Sequence, residues 1–234
     1  MVDISLKHAH RWLWPGNCLL CGARVPSRED LCPACERSLP RTAWACPRCA
    51  ASDAVRGTGD SICGACQKQP PAFVGTHAAF RYASPVDKLI QDLKYHGRLD
   101  LSRVLGGYLA RHLAALAEPR PHVIVPVPLH ASRLRERGYN QSLEIARFVA
   151  QRLQLPLDAT AARRTRPTAP QTQLAHDQRR KNVRGAFSAS EAFAGRRVAI
   201  VDDVMTSGHT VNALAECLLR SGATDVRVWV VARA

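Results

Sequence analysis

The densest group of side chains able to do chemistry lies at residues 198–210, VAIVDDVMTSGHT. Two adjacent carboxylates, Asp202 and Asp203, follow an apolar run that reads as a buried strand. Thr206, Ser207, Gly208, His209 and Thr210 then form a small-residue turn leading into a helix. Such a turn exposes backbone N–H groups at the positive end of the helix, and Gly208 lets a bulky anion approach closely. The hydroxyls of Thr206, Ser207 and Thr210 add donors, so the turn suits a phosphate monoester. Paired carboxylates beside it would repel a bare phosphate, yet they accept well from vicinal hydroxyls and help hold a metal-chelated ligand. Phosphate on one side and a diol on the other describe a ribose 5-phosphate. The plain alternative makes the two acids strand-end and N-cap residues, which are common singly. The whole string together is much rarer.

A second chemical group is the cysteines. Eight of the nine form CxxC pairs: Cys18/Cys21, Cys32/Cys35, Cys46/Cys49 and Cys63/Cys66. One CxxC turn supplies one edge of a sulfur tetrahedron, so two turns complete a four-cysteine zinc site. Four pairs thus predict two Zn2+ ions, structural because no ligand position is left open. Neighbouring pairs can share a site, or the first can pair with the third and the second with the fourth; the sequential arrangement is preferred. A thioredoxin-like role calls for one CxxC after a strand rather than four in a row. Cys217 falls on the inner face of the last helix as a buried small side chain. The short, polar N-terminus carries no export signal, so a cytoplasmic, reducing compartment is expected, and no run is apolar enough for a transmembrane segment.

The elements that must position these groups follow from periodicity. The boundary falls near residue 70, at the linker QKQPPA, giving a cysteine-rich zinc-binding module at 1–70 and a larger domain at 71–234. Residues 75–82 read as a strand. Val86, Leu89, Ile90 and Leu93 mark an amphipathic helix over 85–95, and 101–116 continues helically. Residues 122–127 suit a buried strand; Leu143, Ala146, Val149, Ala150 and Leu153 make the next helix face. A strand at 197–201, a helix at 210–221 and a strand at 225–232 close the chain. Alternating strands and helices imply an α/β fold with a parallel sheet flanked by helices, which binds ligands beyond the carboxyl ends of its strands.

The string at 198–210 resembles the fingerprint of type I phosphoribosyltransferases: an apolar strand, two acids, then T-T/S-G-x-T. The four CxxC pairs, LIQDLKYHGR at 89–98, VPVPLHASRLRERGYNQS at 125–142 and the later Gln171, Arg179 and Asn182 are similar to the ComF/GntX family, associated with uptake and use of external DNA. The resemblance covers nearly the whole chain in the family's order. It implies a type I phosphoribosyltransferase-like sheet and a phosphoribosyl pyrophosphate ligand carried with Mg2+. It also places Asp202 and Asp203 as catalytic, ribose-binding acids. The loop after the strand at 123–127 would meet the pyrophosphate, with Arg133 and Arg137 the chosen cations. Lys94, on the family's KY element, Gln171, Arg179 and Asn182 are drawn towards ligand or DNA contact.

The chain has 234 residues and a net charge of +14, with arginines far outnumbering lysines. That favours a polyanionic partner. Residues 163–184 are the most basic stretch; Arg179 and Arg180 lie in it, and it reads as a mobile loop that can close over a substrate or track single-stranded DNA. Three functions follow: a phosphoribosyltransferase with an unknown acceptor, a single-stranded-DNA-binding component working with DNA-uptake proteins, or a regulator that binds the ligand without turnover.

Overall fold

The computed structural model describes residues 16–26, 30–42, 44–52, 61–167, 183 and 185–234. The chain divides into two compact units, Met1–Pro40 and Arg41–Ala234. Within the first, strands β1 (Gly16–Asn17) and β2 (Arg24–Val25) pair antiparallel ahead of helix α1 (Pro33–Arg37). The knuckle closes through main-chain bonds from Gly22 N–H to the Cys18 carbonyl and from Cys18 N–H to the Ala23 carbonyl.

The second unit is built on a four-stranded sheet of β3 (Gly75–Arg81), β8 (Asp225–Arg233), β7 (Arg197–Met205) and β4 (Val123–Pro126), in that spatial order and all parallel. Their carboxyl ends therefore meet at one edge. Burial on both faces explains why these strands read as nearly continuous apolar runs. One face packs beneath α7 (His209–Arg220), whose Val211, Leu214 and Leu218 meet Val198, Ile200, Val226 and Val228. The other face is covered by α4 (Asp100–Ala114) and α6 (Gln141–Leu153). These two helices touch so closely at Gly106 that a Cβ there would sit 2.9 Å from the Ile145 carbonyl oxygen. Helix α3 (Val86–Tyr95) follows β3 and turns Leu89, Ile90 and Leu93 inward, as its spacing predicts.

Three elements depart from expectation. Strand β7 runs on to Met205 rather than stopping at residue 201, because β8 keeps pairing alongside it to the Met205–Arg233 register. The residues after β4 form a helix, α5 (Ala131–Arg137), rather than an open loop. His130 caps it, with Nδ1 accepting the Ser132 N–H at 3.2 Å, and Gly138 ends it at φ +83°. Arg163 and Arg164, expected in a loop, lie in β5 (Ala162–Arg164), which pairs antiparallel with β6 (Phe187–Ala189).

The second cysteine quartet belongs to the same compact unit as the sheet. Helix α2 (Gly64–Lys68) carries Cys66, and the knuckle at 46–49 is bonded into the sheet by its carbonyls. Pro47 and Arg48 accept from the N–H and Oγ1 of Thr76, and Cys49 accepts from Arg233 Nε.

Candidate functional site

Asp202 and Asp203 are the sixth and seventh of the nine residues of β7, towards the sheet's carboxyl edge. Their environments differ. Asp203 is 2% exposed; its Oδ1 accepts the Val204 N–H at 2.6 Å and its Oδ2 lies 2.8 Å from Lys94 Nζ. Burial opposes the charge on Lys94, but Asp203 and then Asp202 outweigh it and raise its pKa above the ordinary lysine value. Asp202 is only partly covered, and its Oδ1 accepts from Ser142 Oγ at 2.7 Å and from the Asp203 N–H at 3.0 Å. Burial and the neighbouring carboxylate push Asp202 up to about 7, against the Ser142 hydrogen bond and the Lys94 charge. The outward acid thus sits at the edge of ionisation. Donors brought by a ligand, hydroxyls or a cation, would relieve that excess of negative charge.

A brace at residues 139–142 holds this arrangement. Gly138 turns the chain out of α5, and the Tyr139 hydroxyl donates to the Leu93 carbonyl, next to Lys94. Asn140 donates from Nδ2 to the Val127 carbonyl at 3.0 Å, while its Oδ1 caps α6 by accepting the Ser142 and Leu143 N–H groups. Ser142 then reaches Asp202. Sequence reasoning missed these roles. Asn140 before an amphipathic run is a legible N-cap, but nothing local links Ser142 to an acid sixty residues on.

The turn at 206–210 follows directly. Gly208, at φ +76°, is the N-cap of α7, and Ser207 Oγ lies 3.0 Å from His209 Nδ1. The first N–H groups of a helix have no intrahelical acceptor and point at whatever sits before it. Below the turn, the Met205 carbonyl accepts from Arg233 Nη1 at 3.1 Å and from the Ala234 N–H at 3.1 Å.

The predicted cations are placed unequally. Arg133 pairs with Glu136 at 3.0 Å on the exposed side of α5. Arg137 lies with its Cζ 5.7 Å from the Tyr95 ring centroid and bonds Gln141. Arg164, which its sequence context does not single out, is electrostatically coupled to both Asp202 and Arg133; burial lowers its pKa, with Asp202 opposing and Arg133 adding. Gln171, Arg179, Arg180 and Asn182 lie outside the described residues.

The cysteines cluster in sequence order, Cys18, Cys21, Cys32 and Cys35 in one group and Cys46, Cys49, Cys63 and Cys66 in the other, with the sulfurs of each group within 4.8 Å of one another. Sulfurs at about 2.3 Å from a tetrahedral Zn2+ stand about 3.8 Å apart. The Cys21–Cys32 and Cys49–Cys63 sulfurs are each 3.7 Å apart. The donor sets fit zinc. The electrostatics agree: burial opposes ionisation of Cys18, but backbone N–H donors bring it down to about 6, while its neighbours drive Cys35 up to about 12. Crowded thiols that cannot all ionise alone can do so around a dication. Cys217 lies on the inner face of α7 and is buried in the core.

Comparison with known proteins fits this layout. A phosphoribosyl transferase domain model matches residues 140–234, and a double zinc ribbon domain model matches residues 9–67. The DNA utilization protein YhgH of Escherichia coli (strain K12) is 34% identical over 229 residues, which span 94% of this chain and 97% of that protein. Competence protein F of Haemophilus influenzae is 30% identical, over 93% of this chain and 97% of that one. Competence protein ComFC of Streptococcus pneumoniae is 25% identical, over 93% and 100%. Among solved structures, the glutamine phosphoribosylpyrophosphate amidotransferase from B. subtilis covers 60% of this chain and 30% of its own, at 24% identity and a TM-score of 0.41. Among the described residues no helix is long and apolar enough to cross a membrane.

Proposed function

The chain belongs to the ComF/GntX family, with its phosphoribosyltransferase-type domain and double zinc ribbon, and from that premise we propose that it binds Mg2+–phosphoribosyl pyrophosphate and transfers ribose 5-phosphate to an acceptor during use of external DNA. The observation that carries the reading is the juxtaposition of a partly exposed carboxylate at Asp202, beside the buried Asp203, with the Gly208 turn. The turn holds the 5-phosphate, Asp202 accepts from the ribose hydroxyls, and Asp203 with Lys94 forms the buried support behind it. In the transfer, the bond from ribose C1 to the pyrophosphate oxygen breaks and pyrophosphate leaves with the electron pair. An acceptor lone pair forms the new bond to C1, and the acceptor gives up its proton. Arg133 and Arg137 face the leaving group; the exposed Arg133–Glu136 pair is weak enough to open for it. Asp202 would help hold the Mg2+ carried with the ligand, which would supply charge neutralisation for the departing pyrophosphate.

Calorimetry tests this. Asp202→Ala removes charge-assisted hydrogen bonds worth about 1.5–3 kcal/mol, hence roughly ten- to hundredfold in affinity for Mg2+–phosphoribosyl pyrophosphate. Unchanged affinity in the folded variant would sink the reading. Single-stranded DNA is a second, compatible ligand, favoured by the +14 charge and by the names of the relatives. DNA binding should weaken steeply with salt, and Arg179→Glu with Arg180→Glu should flatten that slope. A salt-independent interaction would remove it.

A further inference from the structure

The strand order β3-β8-β7-β4 sets out the neighbours of the site along the carboxyl edge. Helix α5 and Arg133 flank the acids on the β4 side. On the opposite side, towards β8 and the second ribbon, the turn forms the wall of a cavity of about 940 Å3. Its boundaries are Met205 to His209, the Ala213 and Glu216 face of α7, Arg233, and the Gln69 to Ala72 segment with Ala65 beneath it. Asp202, Asp203, Ser142 and Lys94 are not among its walls. The turn thus borders the cavity while the acids do not line it, so a phosphate seated on the turn would stand next to this space.

The chemistry of the walls narrows the occupant. Pro70, Pro71, Ala72, Ala65 and Ala213 are apolar or small. Arg233 spends its guanidinium on the Cys49 and Met205 carbonyls, and Glu216 is an exposed carboxylate that accepts from Asn212 at 2.8 Å. Gln69, His209 and Asn212 add hydrogen-bonding groups between these apolar surfaces, and such mixed walls suit an uncharged heterocycle with its sugar. The volume of about 940 Å3 lies at the upper end of the range for small-ligand sites, about 300–1,000 Å3, so a whole nucleoside fits.

We propose that this cavity is a second-nucleoside subsite. The ligand class is a ribonucleoside with free 2′- and 3′-hydroxyls, joined through its 5′-phosphate to another nucleoside that occupies the cavity; the inference rests on the ribose-phosphate reading of Asp202 and the turn. The same chemistry is presented by the 3′ end of an RNA strand and by a soluble dinucleotide.

Calorimetry on the zinc-loaded full chain compares four probes: AMP, the methyl ester of AMP, the dinucleoside monophosphate ApA, and diadenosine 5′,5′-diphosphate. The methyl ester matches the diester charge of ApA without its second nucleoside. At least one of the two-nucleoside probes should bind about ten times more tightly than the methyl ester. Stronger gain with ApA points to an RNA end, and with the diphosphate to a soluble dinucleotide. Ala213→Trp should abolish the gain while leaving methyl ester affinity within about twofold, and Ala65→Trp, on the exposed ribbon wall, should do the same if the first variant misfolds. Equal affinity of all diesters, or a gain that survives both tryptophans, overturns the subsite while leaving ribose-phosphate binding intact. Failure of AMP and of phosphoribosyl pyrophosphate alike to bind overturns the parent reading, and the subsite with it.

Discussion

Replacing Lys94 by methionine shortens the side chain by one heavy atom and removes its charge from beside Asp203, a carboxylate that is 2% exposed. Breaking a buried ion pair by deleting one partner costs about 3–5 kcal/mol, because the remaining charge stays desolvated. Lys94 itself is 21% exposed, and Asp203 keeps the Val204 N–H, so a cost at or just below the bottom of that range, about 2–3 kcal/mol, applies here. For a domain of this size each kcal/mol shifts the melting temperature by roughly 2–4 °C. Lys94→Met should therefore melt about 4–12 °C lower in zinc-saturated buffer. Adding Asp203→Asn should recover much of the loss, because the buried charge is gone, and the double-mutant cycle should show coupling well above about 0.5 kcal/mol. A loss below about 0.5 kcal/mol with additive effects would refute the claim that Asp203 and Lys94 form the support of the site.

Three further expectations concern neighbouring parts. Asp202, raised from 3.8 to about 7, holds its proton in the folded chain over an interval where the unfolded chain has lost it. Its contribution to stability is complete below the unfolded value and is lost as pH rises through about 7, whereas ligand binding needs the ionised form. Affinity for phosphoribosyl pyrophosphate should rise about tenfold between about pH 6 and pH 8 by calorimetry, a rise that Asp202→Asn flattens; an identical profile in the variant would contradict it. Cys46→Ser with Cys49→Ser removes two zinc ligands from the knuckle that bonds Thr76 and Arg233, and should lower the melting of the sheet unit by ~10 °C or more, whereas Cys18→Ser with Cys21→Ser should spare it. Calorimetric scans decide between them, and equal effects would disprove the distinction. Gly208→Ala has room for its methyl, 3.6 Å from Met205 Sδ, so its cost is that of φ +76°, about 1 kcal/mol. Phosphate-ligand affinity should fall more than thermal stability does, and a variant that binds normally would show that the turn tolerates distortion.

Much of the fold was legible because its strands and helices obey single periods. Val86, Leu89, Ile90 and Leu93 mark a helix face, and the valines of β8 mark a strand buried on both sides. The acid pair and its turn were legible because they are contiguous in the chain. The length of β7 was not, since its last residues are held by pairing with β8 rather than by their own apolar character. Helix α5 escaped notice because ASRLRER has almost no apolar stripe; its helicity rests on the His130 cap and on Gly138. The support around Asp202 and Asp203 was invisible for a different reason: Lys94, Tyr139 and Ser142 reach it from segments far away in sequence, and only folding brings them together. Spacing likewise left the pairing of the CxxC turns open, and packing closed it in sequence order.

The seat of the ribose phosphate is decided by a crystal structure of the zinc-loaded chain with Mg2+–phosphoribosyl pyrophosphate. The 5-phosphate is expected within hydrogen-bond reach of the backbone N–H groups at 206–210, with a ribose hydroxyl donating to Asp202 while Lys94 stays on Asp203. Density for the ligand anywhere else, or a ribose turned away from Asp202, would contradict it.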